Sequence, residues 1–230
     1  MRRAPVLLLL LALAGGGCAG APRAGGPPAT PDLPAAVRQV EEYIGSGRYA
    51  AEVARVVAQA RAYLEERAGA VAKPAIVLDI DETSLSNWTA YRLNGWGRIV
   101  NGGCDLERGP CGVRAWQALA RSEALPPTRA LVQRAHELGV AVFFLSGRPA
   151  ELQAATERNL REQGYTWDQV VIQPAGSHFD SAVEFKAPER RKIEERGYTI
   201  LFSLGDQESD LAGGFAERTF KLPNPVYFLP

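Results

Sequence analysis

Three short apolar segments, each followed at once by polar residues, constrain the fold of this chain more than any other feature. They span residues 74–79, 140–145 and 198–204, and apolar or β-branched side chains dominate all three. Runs without a regular polar face are typical of central strands in a parallel sheet, because such strands are buried on both faces. A shorter run at residues 170–172 predicts a fourth strand.

Amphipathic segments alternate with these strands. Their apolar residues recur at helical spacing in the segments 127–138, 149–163 and 187–196. Strands that alternate with helices in this way predict an α/β fold, with a doubly wound, Rossmann-like parallel sheet and helices on both faces.

Two regions lie outside this alternation. Residues 33–70 show helical periodicity interrupted by a Gly-Ser-Gly sequence, which predicts two N-terminal helices, the second ending near Gly69. Residues 84–125 hold three tryptophans and several glycines without a strand–helix pattern. We expect this segment to form a small cap inserted after the first strand, within a domain that covers residues 35–230.

The charge balance argues against nucleic acid as a partner. Lys plus Arg and Asp plus Glu each total 26, so the formal net charge is zero, and 46% of the residues are hydrophobic. A chain of this composition is globular but has no overall basic surface to hold a phosphate backbone. Nothing in the sequence indicates an oligomeric state.

The N-terminus has the features of an export signal. Two arginines precede an apolar run that is too short to span a bilayer, which predicts a signal peptide over residues 1–17. The segment resembles a bacterial lipoprotein signal, in which Cys18 would be lipidated and would anchor the chain to a membrane, facing the periplasm or the cell surface. Cleavage after Ala21, giving a secreted or periplasmic protein, is the alternative. Residues 18–34, rich in Ala, Gly and Pro, predict a flexible tether.

The remaining cysteines, Cys104 and Cys111, lie seven positions apart in a glycine-rich stretch. In an oxidising compartment they can form a disulfide, and two free thiols are the alternative. No C-x-x-C pair or Cys/His cluster indicates zinc.

Each of the three strong strands ends in a polar motif. The first motif is Asp79-Ile-Asp81-Glu82-Thr83, the second is Ser146-Gly147-Arg148, and the third is Gly205-Asp206-Gln-Glu-Ser-Asp210. In open α/β sheets ligands bind beyond the carboxyl ends of the strands, so the three motifs are expected to converge on one crevice.

These residue types suit the hydrolysis of a phosphomonoester. Mg²⁺ held by Asp79, Asp206 and a main-chain carbonyl can neutralise the dianion, so that Asp79 attacks phosphorus as the nucleophile. Asp81 can protonate the leaving oxygen and then activate water, for which we expect neighbouring carboxylates to raise its pKa. Ser146 can donate a hydrogen bond to phosphate, and Lys186 can balance the remaining charge.

The same motifs resemble those of the haloacid dehalogenase superfamily, and more narrowly its subfamily IIIB acid phosphatases. The narrower resemblance rests on Asp79-Ile-Asp-Glu-Thr-Ser-Leu-Ser-Asn87, Phe144-Phe-Leu-Ser-Gly-Arg148, the third motif with Leu211, and the tail Phe220-Lys-Leu-Pro-Asn-Pro-Val-Tyr227. The resemblance implies a nucleophile, an acid/base, two phosphate contacts and four metal ligands. By this resemblance Asp79 is the nucleophile, Asp81 is the acid/base, and Ser146 and Lys186 contact the phosphate. The implied metal ligands are Asp79, Asp81 through its backbone oxygen, Asp206 and, through water or in an outer position, Asp210.

Several roles stay open at this point. Thr83 and Gly147 are further candidates for substrate contact, although Thr83 can simply shape the turn. Lys192 and Lys221 are alternatives to Lys186. Arg148 can touch the substrate or only cap the end of its strand. In the cap, Trp88 and Tyr91 either stack on a ring of the substrate or pack a local core.

The sequence therefore predicts an exported, Mg²⁺-dependent acid phosphatase that acts on small phosphomonoesters. Two alternatives remain. One is a non-catalytic surface lipoprotein that binds phosphorylated ligands, because some plant members of the resembled family are storage proteins with the nucleophile replaced. The other is a phosphotransferase that uses the same site.

Overall fold

The computed structural model describes residues 32–229. The predicted signal peptide, the predicted lipidation site Cys18 and all but the end of the predicted tether lie outside the described residues. The first helix begins at Leu33, at the end of that tether. Within residues 32–229, no helix is both long enough and apolar enough to cross a membrane.

Eight helices and seven strands make up this part of the chain. The helices are α1 (Leu33–Gly45), α2 (Arg48–Arg67), α3 (Trp88–Leu93), α4 (Val113–Leu119), α5 (Pro126–Glu137), α6 (Gln153–Glu162), α7 (Ala182–Glu195) and α8 (Glu208–Leu211). The strands are β1 (Pro74–Leu78), β2 (Leu85–Ser86), β3 (Glu123–Ala124), β4 (Ala141–Pro149), β5 (Gln169–Gln173), β6 (Thr199–Gly205) and β7 (Arg218–Lys221). Short 3-10 turns follow α2 and β4.

Five strands form one sheet in the order β5-β4-β1-β6-β7. Every neighbouring pair in this sheet is parallel. Strand β1 lies at the centre between β4 and β6, so the three strands that precede the polar motifs are adjacent. The predicted α/β fold with a parallel sheet is confirmed.

Alternate residues of β1 pack into two separate cores, one on each face of the sheet. Ala75 and Val77 belong to a cluster that includes Ile193 of α7. Ile76 and Leu78 belong to a larger cluster built with the apolar faces of α2 and α5. Because helices cover both faces, both sets of side chains must be apolar, which explains the unbroken apolar run in the sequence.

The segment predicted as a cap contains β2, α3, α4 and β3. At its base β2 pairs antiparallel with β3, which brings Leu85 opposite Ala124. The loop before α4 is closed by a disulfide between Cys104 and Cys111, here called the cap disulfide. The aromatic side chains of α3 pack against the N-terminal helices: the rings of Trp88 and Tyr49 lie 4.1 Å apart between centroids. The cap is thus seated on α1 and α2.

Two boundaries differ from the sequence prediction. Helix α7 begins at Ala182 rather than near residue 187, because the hydroxyl of Ser181 caps it by accepting a hydrogen bond from the Val183 amide at 3.3 Å. Pro188, which suits the first turn of a helix, lies in its interior. Strand β7 was not predicted, because it is a short edge strand in which only Phe220 is buried.

Candidate active site

The ends of β1, β4 and β6 meet at one cavity with a volume of about 140 Å³. All three polar motifs contribute to its lining, together with residues from the cap, from α7 and from the C-terminal tail. The lining includes Asp79, Asp81, Tyr91, Arg98, Arg114, Gln117, Ser146, Gly147, Arg148, Lys186, Asp206, Gln207, Asp210 and Tyr227.

Three buried carboxylates form the floor of this cavity. Oxygen atoms of Asp79, Asp206 and Asp210 all lie within 4.8 Å of one another. Lys186 reaches them from α7: its ammonium donates hydrogen bonds to Asp79 and, at 2.6 Å, to Asp210 Oδ1. The structure therefore brings together four of the residues that the sequence singled out.

Neutral donors hold the two carboxylates of the third motif in place. Asp206 Oδ1 accepts a hydrogen bond from the Thr83 hydroxyl at 3.1 Å. Asp206 Oδ2 accepts from the side-chain amides of Gln207 at 2.5 Å and Asn224 at 2.7 Å. Asp210 Oδ2 accepts from the Gln207 amide at 2.9 Å, as part of the capping box that begins α8. Each carboxylate is thus oriented before any ligand arrives.

Burial and the crowding of negative charge shift the pKa values of these groups. Burial and the neighbouring Asp210 raise the pKa of Asp79 well above its usual range, against the opposing charge of Lys186. Burial, followed by the charges of Asp210 and Glu82, raises the pKa of Asp206 to about 7. Burial opposes the charged form of Lys186, but Asp210 and Asp79 outweigh it and raise its pKa.

This donor set fits a divalent cation. Lys186 pairs with two of the three carboxylates, so the cluster carries surplus negative charge in a buried position, where an uncompensated charge is costly. Hard oxygen ligands of this kind are those preferred by Mg²⁺ and Ca²⁺. Burial is the largest cause of the two raised pKa values, and a bound cation would relieve the repulsion that adds to it.

Asp81 has a different environment from Asp79, although only one residue separates them. Its carboxylate forms an ion pair with Arg148 at 2.8 Å and accepts hydrogen bonds from Asn87 at 2.6 Å and Gln117 at 3.2 Å. Burial would raise the pKa of Asp81, but the charge and hydrogen bonds of Arg148 outweigh it and lower the pKa. The expectation that neighbouring carboxylates would raise this pKa is therefore wrong.

Arg148 supports Asp81 from the end of β4. Its Nε and Nη2 both donate to Asp81, and Nη1 donates to the Thr156 hydroxyl at 3.1 Å. Ser146 and Gly147 line the cavity at the end of β4; Ser146 is buried, and Gly147 is exposed. The Ser146 hydroxyl oxygen accepts a hydrogen bond from the Arg148 amide at 3.3 Å and keeps its proton for another acceptor.

Other sequence candidates lie outside the cavity. Thr83 is buried behind Asp206, which favours its role in shaping the turn over contact with a substrate. Lys192 pairs with Glu189 at 2.6 Å, and Lys221 donates to a main-chain carbonyl of the tail. Neither lysine is in the cavity lining, so Lys186 is the lysine of the site.

The two cap aromatics have separate roles. Trp88 packs between Tyr49 and Trp96 and does not line the cavity. Tyr91 does line it, and its hydroxyl lies 3.4 Å from Glu82 Oε2. Glu82 is itself buried, and burial together with the charge of Asp81 raises its pKa to about 7.

Sequence reasoning missed the contribution of the cap and of the C-terminal tail. Gln117 comes from α4, and no motif marked it. Asn224 and Tyr227 belong to the tail that carried the family resemblance, but their contacts could not be read from it. Asn224 holds Asp206, and the Tyr227 hydroxyl donates to Glu82 Oε2 at 2.9 Å. The tail therefore crosses the cavity and connects the third motif with the first.

Comparisons with known proteins agree with this architecture. The Stem 28 kDa glycoprotein of Glycine max is 34% identical over 197 residues, which are 84% of this chain and 74% of that protein. Acid phosphatase 1 of Solanum lycopersicum is 31% identical over 193 residues, 83% of this chain and 73% of that protein. A class C acid phosphatase from Bacillus anthracis, solved with tungstate bound, has the same fold with a TM-score of 0.65 at 22% identity, covering 84% of this chain and 86% of that one. Residues 32–230 match the family described as HAD superfamily, subfamily IIIB (acid phosphatase). The chain therefore belongs to this subfamily of phosphoric monoester hydrolases, as its motifs indicated.

Proposed function

We propose that this chain is an exported, Mg²⁺-dependent acid phosphatase that hydrolyses small phosphomonoesters through an aspartyl-phosphate at Asp79. One observation carries the proposal. Asp79, Asp206 and Asp210 come from two adjacent strand ends, and their carboxylate oxygens lie within 4.8 Å of one another beside Lys186. The small cavity above them, about 140 Å³, favours a compact phosphate ester.

The side chains of Asp79, Asp206 and Asp210 would hold the cation, with the backbone oxygen of Asp81 as the further ligand implied by the family. When bound, Mg²⁺ supplies positive charge that lets a carboxylate approach a phosphate dianion. Lys186 adds one positive charge on the same side, and the Ser146 hydroxyl can donate to a phosphate oxygen. These groups bind the phosphate and orient it toward Asp79.

Asp79 and Asp81 then divide the chemistry between them. A carboxylate oxygen of Asp79 forms a bond to phosphorus, the bond from phosphorus to the ester oxygen breaks, and Asp81 gives its proton to that oxygen. In the second half, Asp81 takes a proton from water as the water oxygen attacks phosphorus. The bond to Asp79 breaks, inorganic phosphate leaves, and both aspartates return to their starting states.

The environment of Asp81 supports an acidic optimum. Asp81 must carry a proton when it acts as the acid, and Arg148 lowers its pKa. The protonated form is therefore better populated as the pH falls. The same ion pair leaves Asp81 ready to act as a base once its proton has been transferred.

Two observations support export. Arg2 and Arg3 precede a short apolar run and then Cys18, as in a lipoprotein signal. In addition, Cys104 and Cys111 form a disulfide, which persists in oxidising compartments rather than in the cytosol. We infer that the chain is anchored through lipid on Cys18. Expression of the full chain in bacteria with labelled palmitate should label the wild type and leave Cys18→Ser unlabelled; equal labelling of both would reject the anchor.

The catalytic proposal is tested with residues 32–230 and p-nitrophenyl phosphate. Phosphate release should require Mg²⁺ and stop on addition of EDTA. Asp79→Asn should reduce turnover by at least about a thousandfold, because it removes the nucleophile. Asp180→Asn is the matched control, since the Asp180 side chain is 91% exposed, and it should keep full activity. Substantial activity in a folded Asp79→Asn variant would contradict the mechanism.

A further inference from the structure

Two arginines on the cap have no assigned role in this mechanism. Arg98 and Arg114, here called the rim arginines, are exposed and line the same cavity as Asp79. Arg98 lies over the ring of Tyr227, 5.2 Å from its centroid. Neither guanidinium makes an ion pair or a hydrogen bond within residues 32–229. In the part of the chain that the structure describes, no side chain or carbonyl competes with a ligand in the cavity for their donors.

The backbone holds the rim arginines on adjoining segments. The amide of Arg114 donates to the carbonyl of Val100 at 3.2 Å, and the amide of Val113 donates to the carbonyl of Ile99 at 2.7 Å. Arg98 therefore lies two residues before Val100, whose carbonyl accepts the hydrogen bond from the Arg114 amide. The cap disulfide closes the loop that joins the two segments. Both arginines are therefore fixed to the same side of the cavity.

The scissile phosphate does not need these two cations. On the floor, Lys186 already contacts Asp79 and Asp210, and Arg148 is committed to Asp81. The floor is dominated by carboxylates, which repel any further anionic group on the substrate. The rim arginines offer the opposite charge at the cap side, with a guanidinium geometry that matches carboxylates and phosphates.

We propose that the rim arginines bind a second anionic group of the substrate. The preferred substrates are then phosphomonoesters that also carry a carboxylate or a second phosphate, held with the scissile phosphate on the floor and the other anion at the cap. This inference rests on the proposed phosphatase activity of the same site. Arg98 and Arg114 then select the substrate, whereas only the residues of the cavity floor contact the reacting atoms.

Matched pairs of substrates test this assignment in the presence of Mg²⁺. One pair is glycerol 1-phosphate and 3-phosphoglycerate, which differ by a carboxylate. The other is adenosine 5′-phosphate and adenosine 3′,5′-bisphosphate, which differ by a phosphate. The wild type should show a higher kcat/KM for the more anionic member of at least one pair. The pair that responds identifies the second group as carboxylate or phosphate.

Arg98→Gln and Arg114→Gln should each lower kcat/KM for that more anionic member by roughly fivefold, the upper end for an exposed ion pair. The value for the less anionic member and for p-nitrophenyl phosphate should change less than about twofold. Arg92→Gln is the control, because Arg92 is an exposed cap cation over the Trp96 ring and lies outside the cavity lining. It should leave the preference unchanged.

Three results would overturn the inference. The first is that the wild type shows no preference within either pair. The second is that the variants lose activity equally on both members of each pair, which is expected if the arginines only attract anions in general. The variants could also retain the wild-type preference. Failure of the proposed function is distinct from all three, because then no phosphate is released even from p-nitrophenyl phosphate.

Discussion

A buried arginine that makes no ion pair within residues 32–229 gives the sharpest prediction about stability. Arg190 on α7 is fully buried, and burial lowers its pKa. Its guanidinium donates to three main-chain carbonyls: Asp210 at 2.7 Å, Gly214 at 2.9 Å, and Ala212. These carbonyls lie at and just after the C-terminal end of α8, where the last carbonyls of a helix have no partner within the helix. Arg190 thus supplies the hydrogen bonds that hold the segment behind Asp206 and Asp210.

The size of the effect follows from these three contacts. A hydrogen bond from a charged donor contributes about 1.5–3 kcal/mol, and a buried acceptor left without a partner costs about 1–3 kcal/mol. Ala212 and Gly214 are exposed residues, so water can replace the arginine at their carbonyls, whereas Asp210 is buried. Arg190→Met keeps most of the apolar stem and removes all three bonds. We expect it to lower the free energy of unfolding by about 3 kcal/mol.

Urea unfolding followed by tryptophan fluorescence measures this difference. The neighbouring Arg191 provides the control, because its side chain is 57% exposed and pairs with Glu195 only across one helical turn. Arg191→Met should change the free energy of unfolding by less than about 0.5 kcal/mol. If the two variants lie within about 0.5 kcal/mol of each other, the carbonyl contacts of Arg190 do not stabilise the fold and the reasoning fails.

Three further predictions follow from single contacts. Asn224→Ala removes a donor to Asp206, so the Mg²⁺ concentration for half-maximal activity should rise about tenfold, and an unchanged requirement would contradict the role of the tail. Hydrogen bonds from Arg67 lower the pKa of Glu217 in the folded protein. The ion pair therefore stabilises the fold fully above the unfolded-state pKa of about 4.3, and this stabilisation is lost as the pH falls through the lower folded-state pKa. Glu217→Gln should therefore cost about 1 kcal/mol at pH 7 and nothing at low pH, measured by urea unfolding at both. Reducing the cap disulfide with dithiothreitol should lower the unfolding free energy by about 2 kcal/mol, and no change would show that the loop is ordered without it.

The sheet and the floor of the site were predictable because they depend on short-range patterns. Apolar runs without alternation require burial on both faces, and parallel strands place their carboxyl ends at one edge. Once the runs ending at Asp79, Ser146 and Asp206 were identified, their convergence followed from topology alone. No knowledge of side-chain packing was needed for that step.

The cap and the electrostatics could not be predicted in the same way. Gln117 and Arg98 reach the cavity through a segment without periodicity, so their positions depend on how the cap folds. The prediction that the pKa of Asp81 rises is wrong, because it takes account only of the acidic residues that are near in sequence. Its direction is decided by a guanidinium at 2.8 Å, and that distance is set by the register of β4 beside β1. Long-range contacts of this kind leave no local pattern.

The distribution of donors around the site shows how the fold maintains a cluster that opposes its own stability. Burying several carboxylates together is costly, and Lys186 compensates only part of their charge. The other donors to Asp206 and Asp210 are neutral: Thr83 from the first motif, Gln207 beside Asp206, and Asn224 from the tail. Neutral donors orient the carboxylates without cancelling their charge, so the cluster keeps the negative potential that a cation requires. Lysine or arginine in place of Asn224 would stabilise the empty cluster and would compete with the metal for it.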